Sequence, residues 1–411
     1  MCTWLVVETI DYFLRNGGEV FACAMDMSKA FDLVVHSKLL LKLMSVSMPA
    51  IIVRLLLVLF LTQFANVRWC GVFSSTFSLK NGCKQGAVLS AIAYCVYVNG
   101  LFEELSKNKS GCWVGGTFLG LLGYSDDNFL LAPSRESLQS MLAICESYAA
   151  DHGLIFSTDR NPQKSKTKCL AFLQVDKDIR PVRLCGNELP WVKSCVHLGN
   201  TIVPDKGKDI RKQDIKNKRA AFINKTNNIL QEFHFSHPKT KAKMIQVYNT
   251  HFYGSVLWHL GSQEVDRLEK SWNVAMRRTF NLPRNTHCYL IEDVSEELHV
   301  RTVLTRRFLS FITSVRTSKK KALREMLRVV EYNTRTVTGR NLRNILLRTN
   351  QDDVRKLKPS DYIAKYRYIP TEEEYRVAVV KEIVEIKNHQ LEVEGFTDYE
   401  LDCILHHVCV S

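Results

Sequence analysis

The sequence predicts an α+β protein whose first half mixes strands with helices and whose second half is helical. Short apolar runs such as FACAMD and NFLLAPS end at acidic residues, glycine or proline, which is typical of buried strands. Residues 87–106 and 135–152 carry the apolar spacing of amphipathic helices. After Pro204 the chain changes to long, polar and basic helical segments with few strand signals. This change is the clearest domain boundary in the sequence.

The remaining elements follow from the same patterns. The chain opens in an amphipathic helix that Gly17 and Gly18 stop, and a helical stretch covers about 36–64. Alternating residues in RWCGVFSSTFSLKNGCKQG predict a hairpin or an edge strand. The segments KTKCLAFL, VRLCGNELP and VKSCVHLGNTIV predict further short strands. The apolar segment 50–65 contains Arg54 and is shorter than the roughly 20 residues that cross a membrane. We therefore expect it to be a buried helix.

The charge of the chain is unevenly placed. The 411 residues carry a formal charge of +14, yet residues 1–160 hold 12 Lys or Arg against 13 Asp or Glu, and the remainder hold 44 against 29. A basic second half favours a polyanionic partner, nucleic acid more than membrane, although solvated helix faces are the alternative explanation. Thirteen cysteines at irregular spacing indicate reduced thiols in an intracellular protein.

Three aspartates lie at the ends of apolar strand patterns. Asp26 ends FACAMD, and Asp126 and Asp127 separate GTFLGLLGYS from NFLLAPS. Taken singly, Asp26 could cap a helix and the pair could be a solvated turn. If both elements belong to one sheet, three carboxylates converge, and two Mg²⁺ or Mn²⁺ ions would offset their repulsion. The segment 84–86, Lys-Gln-Gly, opens a helix where a phosphate or base can approach the backbone.

The motifs DMSKAFDLV, GCKQGAVLS and YSDD, in this order and at these separations, resemble the palm motifs of reverse transcriptases. FDLVVHSKLL is most similar to the LINE-like, non-LTR retrotransposon group, and the resemblance covers most of residues 3–315. It implies a polymerase palm with a central antiparallel sheet, flanking helices and partial fingers over 1–204. An all-helical thumb over 205–316 and a helical C-terminal extension over 317–411 would follow. The implied activity is that of an RNA-directed DNA polymerase, a nucleotidyltransferase.

The resemblance also implies roles for individual residues. Asp26, Asp126 and Asp127 match the catalytic carboxylates that hold two Mg²⁺ or Mn²⁺ ions. The other matched positions are Phe31 as a gate against the ribose 2′-OH, Gln85 and Gly86 at the nucleotide and template base, Lys166 or Lys164 as the acid that protonates pyrophosphate, and His197, Leu198 and Gly199 as the primer grip. An ordinary core role for Phe31 and a solvated role for either lysine are the alternatives.

The first thumb helix and its approach carry a run of cations that is expected to include a phosphate-facing set. These residues are Lys206, Lys208, Arg211, Lys212, Lys216, Lys218 and Arg219. The partners implied are an RNA template, a DNA primer and deoxynucleoside triphosphates, without a membrane. A separate endonuclease domain or an RNA-binding protein of the same element is a further expected partner. The expected location is intracellular, in the nucleus and cytoplasm.

The sequence departs from the family pattern in three ways. Ala91 stands where the family usually has Pro, and Ser125 stands where Ala is common, but both changes are small. The 25 residues before Asp26 do not accommodate the basic fingers region that the family normally has, so we expect an N-terminally truncated chain. A catalytically weak or inactive nucleic-acid-binding remnant is therefore the competing hypothesis. A helical scaffold without a nucleic-acid function would require the ordered motifs to be a coincidence.

Overall fold

The structure, a computed structural model, describes residues 1–84, 88–175, 177–204, 209–249, 252–288, 291, 298–349 and 351–362. The chain divides into two compact units. The first consists of Met1–Ile210 and Val315–Thr336, and the second of Arg211–Ser314 and the chain from Val337 onward. The domain boundaries predicted at 204 and 316 rest on sequence composition, whereas the two units rest on contacts within the structure. The predicted boundaries therefore stay predictions.

The helices and strands follow the order that the sequence patterns predict. The helices are α1 (Cys2–Arg15), α2 (His36–Ser45), α3 (Ala50–Leu61), α4 (Val88–Asn108), α5 (Arg135–His152), α6 (Lys212–Glu232), α7 (Pro238–Met244), α8 (Gln263–Thr279), α9 (Val300–Arg316), α10 (Lys321–Val330) and α11 (Val337–Thr349). The strands are β1 (Val20–Met25), β2 (Phe64–Ala65), β3 (Arg68–Trp69), β4 (Val72–Phe73), β5 (Phe77–Ser78), β6 (Trp113–Val114), β7 (Thr117–Phe118), β8 (Leu121–Tyr124), β9 (Asp127–Ala132), β10 (Lys168–Phe172), β11 (Val182–Leu184), β12 (Asn187–Leu189), β13 (Cys195–His197) and β14 (Asn200–Ile202).

A four-stranded antiparallel sheet lies at the centre of the first unit. Its strand order is β10–β1–β9–β8, so β1 pairs on both sides. Cys23 of β1 lies opposite Leu130 of β9 and Cys169 of β10, and all three side chains are buried. A strand that is covered on both faces can be apolar throughout, which accounts for the unbroken run VFACAM. The predicted α+β fold with a central antiparallel sheet is confirmed.

Helices pack against this sheet and close its core. Helix α5 contacts β1 and β9, α4 contacts α5, and α1 contacts β1 and β8. The side chain of Ser134 caps α5 by accepting from the backbone N–H of Ser137, and Gly153 ends it at φ +68°. The buried side chains Leu138 and Leu142 lie on one stripe of α5, and burying each stabilises the fold by about 1.5–3 kcal/mol.

Helix α3 is not the buried helix that its apolar sequence predicted. Phe60 is buried, but Ile51 and Leu55 expose 70% and 65% of their surfaces. The strands that follow α3 also present exposed large apolar side chains, namely Phe64, Trp69, Val72, Phe73 and Phe77. The prediction is wrong because an apolar composition favours burial but does not show that other residues of the chain pack on the helix. Few of the described residues do so at α3. Among the described residues, no helix has the length and apolarity needed to cross a membrane.

The described residues of the second unit form helices without strands, as the sequence predicts for the chain after Pro204. Helices α6 and α8 pack along each other, with Phe222 stacked on Trp272 at 5.8 Å between ring centroids. The buried carboxylate of Asp214 accepts from Trp258 Nε1 at 2.9 Å and from Lys218 Nζ at 2.9 Å. The predicted C-terminal extension, 317–411, is described in part: it includes α10 and α11, and its residues from 363 onward lie outside the described residues.

Candidate active site

Asp26 lies directly after the central strand β1. It is not a helix cap, because the next helix begins only at His36. Its backbone carbonyl accepts from the N–H of Ser157 at 2.8 Å, and its own N–H donates to Thr167 Oγ1 at 3.2 Å. The backbone at the end of β1 is therefore held from the chain that precedes β10, while the half-buried carboxylate remains accessible.

The second and third aspartates lie on the β8–β9 hairpin. Tyr124 pairs with Asp127, so Ser125 and Asp126 form a two-residue loop in which Ser125 has a φ of +59°. The buried Asn128 donates from Nδ2 to the backbone oxygen of Asp126 at 3.2 Å. Gly123 leaves room for that side chain, because a Cβ at this position would lie 2.6 Å from Asn128 Oδ1. The hydrogen bond from Asn128, for which Gly123 leaves room, thus holds the backbone of the acidic loop in place.

The sheet brings the three carboxylates into one electrostatic neighbourhood. Met25 pairs with Asn128, so the next residues along the same register are Asp26 and Asp127. Partial burial, followed by the negative charges of Asp126 and Asp26, raises the pKa of Asp127 above its ordinary value. Repulsion of this kind makes the site receptive to a cation.

The donor set suits a hard divalent cation, although the side chains are not gathered around one position. Carboxylate oxygens are the ligands that Mg²⁺ and Mn²⁺ prefer. Within the described residues, no three His, Cys, Asp or Glu side chains are arranged as a ready metal-ligand group. The three aspartates therefore interact electrostatically and have the right chemistry, but they do not form a closed ligand cluster in this structure.

Phe31 packs against Tyr94. The rings of Phe31 and Tyr94 are 5.1 Å apart, and Tyr94 is fully buried. Burial and then the charge of Asp126 raise the pKa of Tyr94, whose hydroxyl donates to Met27 Sδ at 2.8 Å. Phe31 itself is half-buried against the core. This position is compatible with both the predicted gate and the ordinary core role.

Lys164 and Lys166 lie on the loop that precedes β10, and both are exposed. Ser165, between the two lysines, and Thr167, after Lys166, are buried and hold the loop in place. Ser165 Oγ donates to the Thr167 carbonyl at 2.9 Å, and the Thr167 N–H donates to the Ser157 carbonyl at 3.1 Å. Because Ser157 and Thr167 both bond to the backbone of Asp26, the lysine loop is tied to the end of β1.

The predicted primer-grip residues form the turn of the β13–β14 hairpin. His197 pairs with Asn200, and Leu198 and Gly199 both have positive φ, at +46° and +72°, as a type I′ turn requires. His197 is 4% exposed, and its ring lies 5.0 Å from that of Phe129, two residues after Asp127. Burial, together with the amino group of Met1, lowers the pKa of His197 to about 4.

Comparison with known proteins identifies this arrangement. Residues 5–202 match the family model described as reverse transcriptase (RNA-dependent DNA polymerase). This segment is a reverse transcriptase domain. It covers the sheet, the acidic hairpin and the β13–β14 hairpin, so the resemblance inferred from the sequence motifs is confirmed. The description of this family names RNA-dependent DNA polymerases.

The chain is also similar to a retrotransposon polyprotein. The chain is 25% identical over 161 residues to the retrovirus-related Pol polyprotein from type-1 retrotransposable element R2 of Nasonia vitripennis. The match takes in 39% of this chain but only 15% of that polyprotein.

Among solved structures, telomerase from Candida albicans in complex with a fragment of telomeric RNA aligns with a TM-score of 0.36 and 14% identity. This alignment covers 80% of this chain and 53% of the telomerase chain. Apo telomerase from Candida tropicalis gives a TM-score of 0.38, 13% identity, and coverage of 79% and 50%. The chain thus spans about half the length of these telomerases.

The structure does not present the cations predicted around the start of α6 as one face. Arg211 is 3% exposed and lies in the interior. Lys218 pairs with Asp214 and donates to the carbonyl of Tyr253, and Lys212 lies 3.9 Å from Glu264. Lys216 is half-buried. Helical spacing alone did not reveal that Lys218 pairs with Asp214 one turn earlier on α6, or that Lys212 lies near Glu264 on α8.

A basic groove between α6 and α8 contains cations that the sequence analysis missed. The groove has a volume of about 260 Å³, and Ile223 and Val274 form part of its apolar floor. Its cations are Arg219, Arg267, Lys270 and Arg278. Only Arg219 belongs to the predicted set, since the others lie on α8. The spacing 267, 270, 274 and 278 follows one face of a helix, which is the signal that could have identified them.

Four of the predicted site residues lie outside the described residues. These are Gln85 and Gly86 before α4, and Lys206 and Lys208 before α6. Their predicted roles at the nucleotide, the template base and the phosphates stay predictions.

Proposed function

We propose that this reverse transcriptase domain copies RNA into DNA for a LINE-like, non-LTR retrotransposon. It would add deoxynucleotides to a primer 3′-OH by phosphoryl transfer. The observation that supports this most strongly is the electrostatic coupling of Asp26, Asp126 and Asp127 at one end of the central sheet, within the segment that matches the family. A divalent cation would offset the repulsion among these three carboxylates.

Asp26, Asp126 and Asp127 would hold two Mg²⁺ or Mn²⁺ ions. Such ions, when bound, supply positive charge that stabilises the attacking and leaving oxygens of the phosphoryl transfer. The raised pKa of Asp127 supports this role, because a carboxylate that repels its neighbours is relieved by a cation. The exposure of Asp126 and Asp127 leaves them accessible to a nucleotide and primer end.

The other site residues would position substrates and move one proton. Lys166, exposed on the loop tied to Asp26, would donate a proton to the departing pyrophosphate, with Lys164 as the neighbouring candidate. Phe31 would exclude the ribose 2′-OH of an incoming nucleotide. The hairpin of His197, Leu198 and Gly199, packed on Phe129, would hold the primer end.

A second candidate function is nucleic-acid binding without turnover. The basic groove of the second unit favours it, because four cations over an apolar floor can contact a phosphate backbone whether or not the carboxylates bind metal. In either case the partners would be an RNA template and a DNA primer. Deoxynucleoside triphosphates, an associated endonuclease domain and an intracellular setting in nucleus and cytoplasm belong to the first proposal alone.

A primer-extension assay separates the two candidates. The protein is incubated with poly(rA)/oligo(dT), dTTP and either Mg²⁺ or Mn²⁺, and compared with Asp126→Asn and with Asp151→Asn, an exposed aspartate on α5. We expect extension that Asp126→Asn lowers by about 10²–10³-fold, as removal of a charge-stabilising group does, and that Asp151→Asn preserves. Template binding by all three proteins without any extension would support the second candidate instead.

A further inference from the structure

The end of β1 and the start of β10 separate immediately beside Asp26. Their ladder runs from Val20 opposite Phe172 to Ala24 opposite Lys168, and it ends two residues before Asp26 and one residue after Thr167. At this point the side chain of Thr167 takes the place of a backbone acceptor: the Asp26 N–H donates to Thr167 Oγ1 at 3.2 Å.

The hydroxyl of Thr167 contacts both backbone polar groups of Asp26. Thr167 is 0% exposed, so water does not compete for its oxygen. The same hydroxyl lies 3.5 Å from the Asp26 carbonyl, which also accepts from the Ser157 N–H at 2.8 Å. Both backbone groups of Asp26 are thus bonded to the segment 157–167.

The same threonine is joined to the lysine loop. Its N–H donates to the Ser157 carbonyl at 3.1 Å, and its carbonyl accepts from Ser165 Oγ at 2.9 Å. Because Lys166 lies between two buried, hydrogen-bonded residues, its backbone is fixed relative to that of Asp26. A single buried hydroxyl therefore connects a metal-ligand candidate to a proton-donor candidate.

We propose that Thr167 is a positioning residue of the reverse transcriptase site, which sets the carboxylate of Asp26 through its backbone and holds Lys166 in register with it. This inference rests on the proposed function. An outer group that orients a metal ligand typically changes metal affinity by 10–100-fold when it is removed. Loss of the hydroxyl should therefore weaken divalent-cation binding although Thr167 itself touches no ion.

The test compares Thr167→Val, which keeps the shape and removes the hydroxyl, with Thr167→Ser, which keeps the hydroxyl. Thr279→Val is the matched control, because Thr279 is also 0% exposed and its hydroxyl donates to the carbonyl of Ala275 in α8. Binding of Mn²⁺ is measured by electron paramagnetic resonance, and amide hydrogen exchange is measured at Asp26. Primer extension as a function of Mg²⁺ concentration completes the set.

We expect Thr167→Val to weaken Mn²⁺ binding by about 10-fold or more and to speed exchange at the Asp26 amide, while the Mg²⁺ needed for half-maximal extension rises. Thr167→Ser should stay within about twofold of the unmodified protein in Mn²⁺ affinity, even where the lost methyl group lowers stability. If Thr167→Val does not fold, Thr167→Ala takes its place, and equal Mn²⁺ affinities of the alanine and serine variants overturn the proposal.

The outcomes also separate this inference from the proposed function. Unchanged Mn²⁺ affinity and unchanged Asp26 exchange in Thr167→Val overturn the positioning role while leaving the polymerase proposal intact. An unmodified protein that binds no Mn²⁺ and extends no primer overturns the polymerase proposal and, with it, any role for Thr167 toward a metal.

Discussion

His197 is the residue for which burial has the clearest consequence in solution. Its pKa is lowered from 6.5 to about 4, so the folded protein binds this proton less readily than the unfolded chain does. The stability that comes from burying the neutral ring is present above pH 6.5 and is lost as the pH falls toward 4. A shift of this size corresponds to about 3 kcal/mol.

We therefore expect His197→Phe to remove part of the acid sensitivity of the fold. Between pH 6.5 and pH 4, the free energy of unfolding of the unmodified protein should fall by up to about 3 kcal/mol more than that of the variant. Urea unfolding at a series of pH values measures this difference. His234→Phe, at an exposed histidine, is the control and should titrate like the unmodified protein. Parallel pH profiles for His197→Phe and the unmodified protein would contradict the assignment.

Substitution of Phe31 distinguishes its two candidate roles, a gate against the ribose 2′-OH and an ordinary core residue. If its ring excludes the 2′-OH, Phe31→Ala should raise the use of ribonucleotides relative to deoxynucleotides by about 10–100-fold, a discrimination of 1–3 kcal/mol. Single-nucleotide incorporation with dTTP and UTP measures the ratio. Phe118→Ala removes another half-buried aromatic ring, which packs on Trp113, and should leave the ratio unchanged. If both variants lose activity without a change of ratio, Phe31 is a core residue.

At the scale of elements, helix α3 behaves as a surface and not as part of the core. Its exposed residues Ile51, Leu55 and Val58 follow one helical stripe. Exposed apolar patches of this kind promote association. Replacing all three by Lys should reduce self-association in sedimentation velocity at increasing concentration, with little change in melting temperature. Phe60→Lys, at a buried position, should instead lower the melting temperature sharply, and a melting loss as large in the triple variant would show that the stripe is covered.

The elements also show what the sequence could and could not predict. Hairpins such as β8–β9 and β13–β14 were predictable, because alternation and turn residues are local properties of the chain. The neighbourhood of Asp26 and Asp127 was predicted only on the condition that both elements belong to one sheet, and the pairing of β1 with β9 meets that condition. The side on which a helix meets its neighbours was not predictable, because it depends on packing: α3 was expected to be buried, and the seven candidate cations included Arg211, which is buried. The groove cations on α8 were missed for the same reason.

At the scale of the whole molecule, the positive charge of the second half is expected to serve nucleic-acid binding. The strongest candidates are the groove residues Arg219, Lys270 and Arg278. Each cation that neutralises a phosphate contributes about 0.7–0.9 to the slope of log K against log salt. Replacing all three by Gln should therefore make that slope shallower by about two to three. Fluorescence anisotropy of a labelled primer–template across a salt series measures it.

The control for this experiment removes the same charge elsewhere. Lys177, Arg183 and Arg328 pair with Glu19, Glu188 and Glu325. Their replacement by Gln should lower affinity only slightly and should leave the slope nearly unchanged. Equal slopes for the two triple variants would mean that net charge matters and that the groove is an ordinary solvated surface.

The account depends most on the claim that Asp26, Asp126 and Asp127 act together as one divalent-cation site. A Mn²⁺ titration followed by electron paramagnetic resonance tests it most directly, on the unmodified protein, Asp26→Asn, Asp126→Asn and the control Asp151→Asn, each with primer–template. The account predicts saturable binding that Asp26→Asn and Asp126→Asn each weaken by about tenfold or more and that Asp151→Asn leaves unchanged. Equal Mn²⁺ binding by all four proteins would contradict it.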